Sequence, residues 1–201
     1  MADTNTFVGG NLLSIKNQNG VFTDKYMDVQ RVVRTEYKGD VLAYDEYEKV
    51  FEYVPIESSW VGEKHDNNIV IEYGIHDAKH PIYNFVCSPE HKVLKDISSW
   101  GEDEILTPAE DIKIGNNLVS NAHIYADTFG TIVKDDAHKK SILKVTGIRQ
   151  INYPLTTYGI IISKTHLLVV NSIVVTDSAA RHNAERDLYE RLQVTIKESN
   201  P

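Results

Sequence analysis

Two stretches and one isolated residue carry groups that could move protons or remake acyl bonds. Ser88-Pro89-Glu90-His91 sets a hydroxyl three residues ahead of an imidazole, straight after an apolar run that ends in the only thiol, Cys87. Thr176-Asp177-Ser178 places a carboxyl group between two hydroxyls, with His166 a short way before it. Thr6 offers one more hydroxyl near the start. Histidine exchanges protons close to neutral pH, so an imidazole beside a hydroxyl or thiol suits acyl transfer. Each group also has a plain structural reading. His91 can be a satisfied core histidine, Cys87 can pack as a small hydrophobe, and Asp177 with Ser178 can cap a helix. His76 and His80 are spaced for one helix face, with Asp77 and His91 as further donors. However, Pro81 and the strand-like flanks disfavour that helix, so no metal and no cofactor is expected.

These groups must be positioned by a fold of 201 residues, enough for one sizeable core. Hydrophobic residues make up 41% and charged residues 25%, a globular composition. The net charge of −8 opposes phosphate binding, so no nucleic-acid partner is expected. No apolar run approaches the roughly 20 residues that span a bilayer, so no membrane partner is expected. Met1 to Phe7 lacks a basic stretch followed by an apolar one, so no signal peptide is seen. One cysteine forms no internal disulfide. A cytoplasmic or virion-associated location fits these features.

Short β-branched and aromatic runs alternate with turn residues. Val41 to Tyr44 follows Lys38-Gly39-Asp40, Ile69 to Tyr73 follows Asp66-Asn67-Asn68, and Ile82 to Cys87 runs into Ser88-Pro89. Leu118 to Ser120, Ser141 to Ile148, Gly159 to Ser163 and Leu167 to Val170 continue the pattern, and Ile173 to Val175 follows an Asn171-Ser172 turn. This texture predicts an all-β protein. No β and α units alternate, which disfavours a parallel sheet. Asn121 to Lys140 reads as a long polar loop, and Pro108 to Ile112 as one helical turn. Asp177 to Gln193 reads as a C-terminal helix with an Asp/Ser start, followed by a frayed tail. No internal repeat is evident.

Four motifs in order resemble the Hint domain, the self-processing module shared by hedgehog proteins and inteins. Thr6-Phe7-Val8-Gly9 is similar to its Cys-Phe-x-Gly opening. Gly39-Asp40-Val41-Leu42-Ala43 is similar to its early turn and strand. Ser88-Pro89-Glu90-His91 stands where the family has Thr-x-x-His. Tyr153-Pro154-Leu155-Thr156-Thr157-Tyr158-Gly159 and Val169 to Ala179 resemble its closing elements. The resemblance implies an all-β Hint fold, a pseudo-twofold horseshoe of short antiparallel strands over residues 6–178. Residues 179–201 would follow as a C-terminal helix and tail.

The same resemblance implies chemistry on the chain's own backbone: an N–O or N–S acyl shift with cleavage or splicing. The substrate is the flanking polypeptide. Thr6 takes the nucleophile position, and a rival register places Phe7 there. His91 protonates the leaving amine, Ser88 orients the scissile peptide, and Asp177 and Ser178 stand at the downstream junction. His166, Thr176, Cys87 and Thr156 are candidate supporting groups. The family usually has Cys first and His-Asn last, where this chain has Thr6 or Phe7 and Thr176-Asp177. These departures imply a weakly active or degenerate site. The alternative is an inactive Hint domain serving as a structural or interaction module in a viral or phage assembly, with residues 179–201 facing the partner.

Overall fold

Turn chemistry and apolar runs produce an almost uninterrupted succession of antiparallel strands. The structure is a computed structural model that describes residues 6–16, 25–74, 83–98, 103–121, 123–126, 132–135 and 140–179. In chain order the elements are β1 (Phe7–Val8), β2 (Leu12–Ile15), β3 (Lys25–Asp28), α1 (Val29–Arg34), β4 (Asp40–Asp45), β5 (Val50–His65), β6 (Asn68–Gly74), β7 (Tyr83–Cys87) and β8 (Lys92–Asp96). There follow β9 (Glu104–Pro108), a 3-10 turn (Ala109–Asp111), β10 (Asn117–Ser120), β11 (His123–Ala126), β12 (Ile132–Asp135), β13 (Ser141–Ile151), β14 (Leu155–Ile162), β15 (Leu167–Val170) and β16 (Ile173–Thr176). Among the described residues no helix is long and apolar enough to cross a membrane.

Local sequence accounts for several elements. Val41 to Tyr44 is buried throughout, because β4 is covered on both faces and so reads as a continuous apolar run. The β15–β16 hairpin turns on Asn171 and Ser172, both at positive φ (46° and 71°), as a two-residue hairpin turn requires. The Asp28 carboxylate caps α1 by accepting from Gln30 N at 2.7 Å, and its other oxygen accepts from Gly10 N at 2.8 Å. One carboxylate thereby fixes both the helix and the turn after β1.

Of the 16 described strands, 14 form one sheet, in the order β3-β2-β15-β4-β5-β14-β1-β7-β6-β13-β10-β16-β8-β9. This order is a mirror about the β1–β7 pair: β14 answers β6, β5 answers β13, β4 answers β10, β15 answers β16, and β2 answers β8. The β15–β16 pairing joins the two halves a second time. This is the pseudo-twofold arrangement of an all-β Hint fold. Its approximate axis runs between β1 and β7 and between β15 and β16. β1 and the last hairpin therefore both lie on that axis.

The structure adds elements that the sequence reading lacks. β5 is a long strand through Pro55; residues 50–55 pair with β4 and residues 56–65 with β14. The proline sits where the strand changes partners, so its missing N–H breaks little of the ladder. The segment read as a loop at Asn121 to Lys140 contains the β11–β12 hairpin. The expected helical turn is the 3-10 turn at Ala109–Asp111. Of the helix expected from Asp177 to Gln193, residues 177–179 are not helical, and the rest lies outside the described residues, as do His76 and His80.

Two asparagines tie the halves together. Asn11 is buried; its Nδ2 donates to Val8 O (2.9 Å) and Val86 O (2.8 Å). Its Oδ1 accepts from Val86 N (3.3 Å) and Asn171 Nδ2 (3.0 Å). Asn171 accepts from Leu12 N at 2.6 Å and donates to Asn84 O at 2.6 Å. Replacing Asn11 with Ala strands several of these groups away from water. The expected loss is about 2–4 kcal/mol in urea unfolding; a loss under about 0.5 kcal/mol would contradict the role given to this tie.

Candidate functional site

The site is assembled around His91, which is completely buried. Its backbone is fixed on both sides: His91 N donates to Ser88 O (3.2 Å) and Ala109 N donates to His91 O (2.8 Å). The Ser88 turn therefore aims the imidazole at the last hairpin, where Nε2 lies 3.0 Å from Thr176 O. A carbonyl only accepts, so Nε2 carries the proton and Nδ1 holds the lone pair in the neutral ring. Two aromatic rings enclose the imidazole. Phe7 lies with its centroid at 4.9 Å and Phe85 at 5.4 Å.

Burial pushes the His91 pKa down to about 4, against hydrogen bonding from the Thr176 and Thr6 backbones, which favours the charged ring. The ring is therefore neutral near pH 7. A backbone group that raises a histidine pKa is an acceptor, so the Thr6 group acting on the ring is its carbonyl. Nδ1 makes no well-formed hydrogen bond among the described residues.

The downstream residues form a second polar centre beside the first. Asp177 is completely buried. Its Oδ2 accepts from Ile162 N (3.1 Å) and lies 3.1 Å from His166 Nδ1, while Oδ1 accepts from Ala179 N (3.0 Å). Burial raises the carboxyl pKa from its ordinary value, and the backbone donors and His166 pull against it. Asp177 N donates to His166 O at 2.8 Å. Ser178 N donates to Ile160 O (2.8 Å), and Ser178 Oγ accepts from Ile160 N (3.0 Å). The Asp177–Ser178 peptide is thus held in register with β14.

The structure brings most of the sequence-derived residues together. Thr6, Ser88, His91, Thr176 and Asp177 are all buried around this centre, with Ser178 and the half-exposed His166 at its edge. Cys87 lies directly opposite Phe7 across the β1–β7 bridge. Burial, with Glu90 adding to it, pushes its thiol pKa far up and keeps it neutral. Thr156 is half-buried and opposite Lys64. Its neighbour Thr157 is buried opposite Val8 and donates to Glu63 O at 2.6 Å. The enclosing rings of Phe7 and Phe85, and the Ile162 N–H that holds Asp177, were not anticipated. Aromatic residues in strands read as core, and a backbone donor is set by strand register alone.

Neither a protein-family profile nor a curated protein sequence matches the chain. Solved structures do match in fold. An intein from a hyperthermophile superposes with a TM-score of 0.64 at 15% identity, covering 86% of this chain and 98% of that one. The bacterial intein-like domain from Clostridium thermocellum gives 0.59 at 12%, covering 86% and 99%. A DnaB intein from Synechocystis gives 0.58 at 12%, covering 86% and 97%. The chain has the Hint fold of these proteins.

The buried imidazole has a pH signature. Below pH 6.5 the unfolded chain takes up a proton at residue 91 that the folded chain excludes down to about pH 4. Stability from this group is therefore full above pH 6.5 and falls by about 3 kcal/mol as the pH drops to 4. The raised Asp177 pKa acts in the opposite direction, so the effect is read as a difference. Denaturant titrations should show a steeper acid loss for the unsubstituted chain than for His91→Gln; parallel profiles would contradict the burial of a neutral ring.

Proposed function

We propose that this Hint-fold chain is a self-processing domain whose substrate is its own flanking polypeptide, with its main reaction at the Asp177–Ser178 bond. Residues 6–178 make up the processing unit, and residues 179–201 begin the link to a host protein or assembly. One observation carries this reading. A buried imidazole at residue 91 holds the Thr176 carbonyl, and the next carboxyl group, on Asp177, lies against His166.

In the reaction, a carboxyl oxygen of Asp177 attacks that residue's own main-chain carbonyl carbon. A cyclic anhydride closes, the C–N bond to Ser178 breaks, and the amine of Ser178 leaves with the carboxyl proton, relayed by His166. Water then opens the anhydride and restores Asp177 with a free carboxylate end. The raised Asp177 pKa supports the step, because more of the group retains the proton that the leaving amine needs. His91 and Thr176 hold the strand that carries the bond. The Ser88 carbonyl holds the His91 backbone in place.

Thr6 gives an upstream step no support. A threonine hydroxyl at residue 6 needs a strong base beside it, and the lowered pKa of His91 makes that ring a poor one. The second reading, an inert structural module in a larger assembly, is favoured by one fact. Both Asp177 oxygens are already engaged, and those hydrogen bonds must break before attack.

The test places a reporter before residue 6 and another after residue 178, and follows intact mass. The expected result is slow release at Asp177–Ser178. Asp177→Asn is expected to release faster, because an amide cyclises without the handicap of ionisation, and His166→Ala to release about 100-fold more slowly. If the unsubstituted chain and Asp177→Asn both stay whole for days while folded, the inert reading stands instead.

A further inference from the structure

We infer that the upstream bond set against His91 is Thr6–Phe7, and that the Phe7 ring plugs the place a nucleophile would occupy, so that processing is one-sided and the domain stays joined to whatever precedes it. This rests on the self-processing reading above and adds to it which end is released.

Three observations fix the register. β1 is held from both sides, with Phe7 opposite Tyr158 on β14 and opposite Cys87 on β7. The side chain that reaches the imidazole is that of residue 7: the Phe7 ring is fully buried and tilted by 59° against His91 at 4.9 Å. The Thr6 carbonyl belongs to the Thr6–Phe7 peptide, and it is the group whose backbone acts on the ring.

The chemistry follows from that placement. An acyl shift at Thr6–Phe7 needs a heteroatom on the side chain of residue 7, because that side chain sits on the amine side of the bond. A benzyl group has none, and its ring fills the volume beside the imidazole. The Cys87 thiol across the bridge is buried and neutral, so it does not take over. The upstream flank stays attached while the downstream bond is cut. The machinery is blocked at a single side chain, so Phe7→Cys should release it. The thiol attacks the Thr6 carbonyl carbon, the C–S bond forms, the C–N bond breaks, and the thiol proton passes to the freed amine of residue 7. Added dithiothreitol then displaces the thioester.

The experiment uses the full chain with both reporters, unsubstituted and as Phe7→Cys and Thr6→Cys, with and without dithiothreitol. The expected result is no upstream release from the unsubstituted chain. Phe7→Cys is expected to give thiol-dependent release after Thr6 at least about 10-fold above it, and Thr6→Cys none. Upstream release from the unsubstituted chain, release from Thr6→Cys alone, or no release from a folded Phe7→Cys overturns the inference. The reporter after residue 178 is read on the same gel. Upstream release from Phe7→Cys without any downstream cut therefore sinks the downstream reading alone. Should Phe7→Cys fail to fold, the register is read in the unsubstituted chain from carbonyl carbon shifts as His91 titrates. The Thr6 carbonyl should move with the ring; movement of the Asn5 carbonyl instead overturns the assignment.

Discussion

The hydrogen bond between the His91 ring and the Thr176 carbonyl joins residues 85 positions apart, inside a region that water does not reach. The geometry of the site depends on it. It can exist because the sheet is a mirrored pair of halves whose axis passes through the β1–β7 bridge and the β15–β16 hairpin. A strand at the start of the chain and a hairpin at its end share one neighbourhood only in such a topology. Asn11 and Asn171 hold the arrangement with side-chain amides where the two halves are not joined by a continuous ladder. Because the imidazole is shut in by Phe7 and Phe85, burial sets its charge state, and the neutral ring with its proton on Nε2 is the form that fits the carbonyl.

β1 and the residues that follow β16 meet this centre under different constraints. At the downstream end a carboxyl group is packed against an imidazole and two backbone N–H groups, which engage both of its oxygens. At the upstream end a benzyl ring stands beside His91 with no atom able to form an acyl bond. Self-processing, in the reading offered above, is therefore a matter of which side chain sits at two fixed places rather than of the scaffold. The likeness to inteins at 15% identity or less extends to that scaffold.

Much of the fold could be read from sequence because it is written locally. The Gly39-Asp40 turn, the buried run of β4 and the Asn171-Ser172 hairpin each follow from a few adjacent residues. His91 emerged because it follows Ser88 at a fixed spacing, and Asp177 because it ends the last apolar strand. What was missed depends on distant partners. β5 carries a proline and an irregular exposed pattern, since it changes partners midway. The mirrored halves leave little trace in sequence beyond Gly39-Asp40-Val41-Leu42 and Gly115-Asn116-Asn117-Leu118. Whether Thr156 or Thr157 faces inward is a question of strand parity, which register alone decides. The choice between Thr6 and Phe7 was open for the same reason.

The central claim is spatial: the beginning of the chain, the residue 91 imidazole and the closing hairpin share one dry neighbourhood. Nuclear Overhauser spectra of the unsubstituted chain at neutral pH test it most directly. The account predicts cross-peaks from the His91 ring protons to the rings of Phe7 and Phe85, and an Nε2 proton that exchanges slowly because it is bonded to Thr176. A His91 ring with no cross-peak to Phe7 and an Nε2 proton that exchanges at the rate of free imidazole would contradict it.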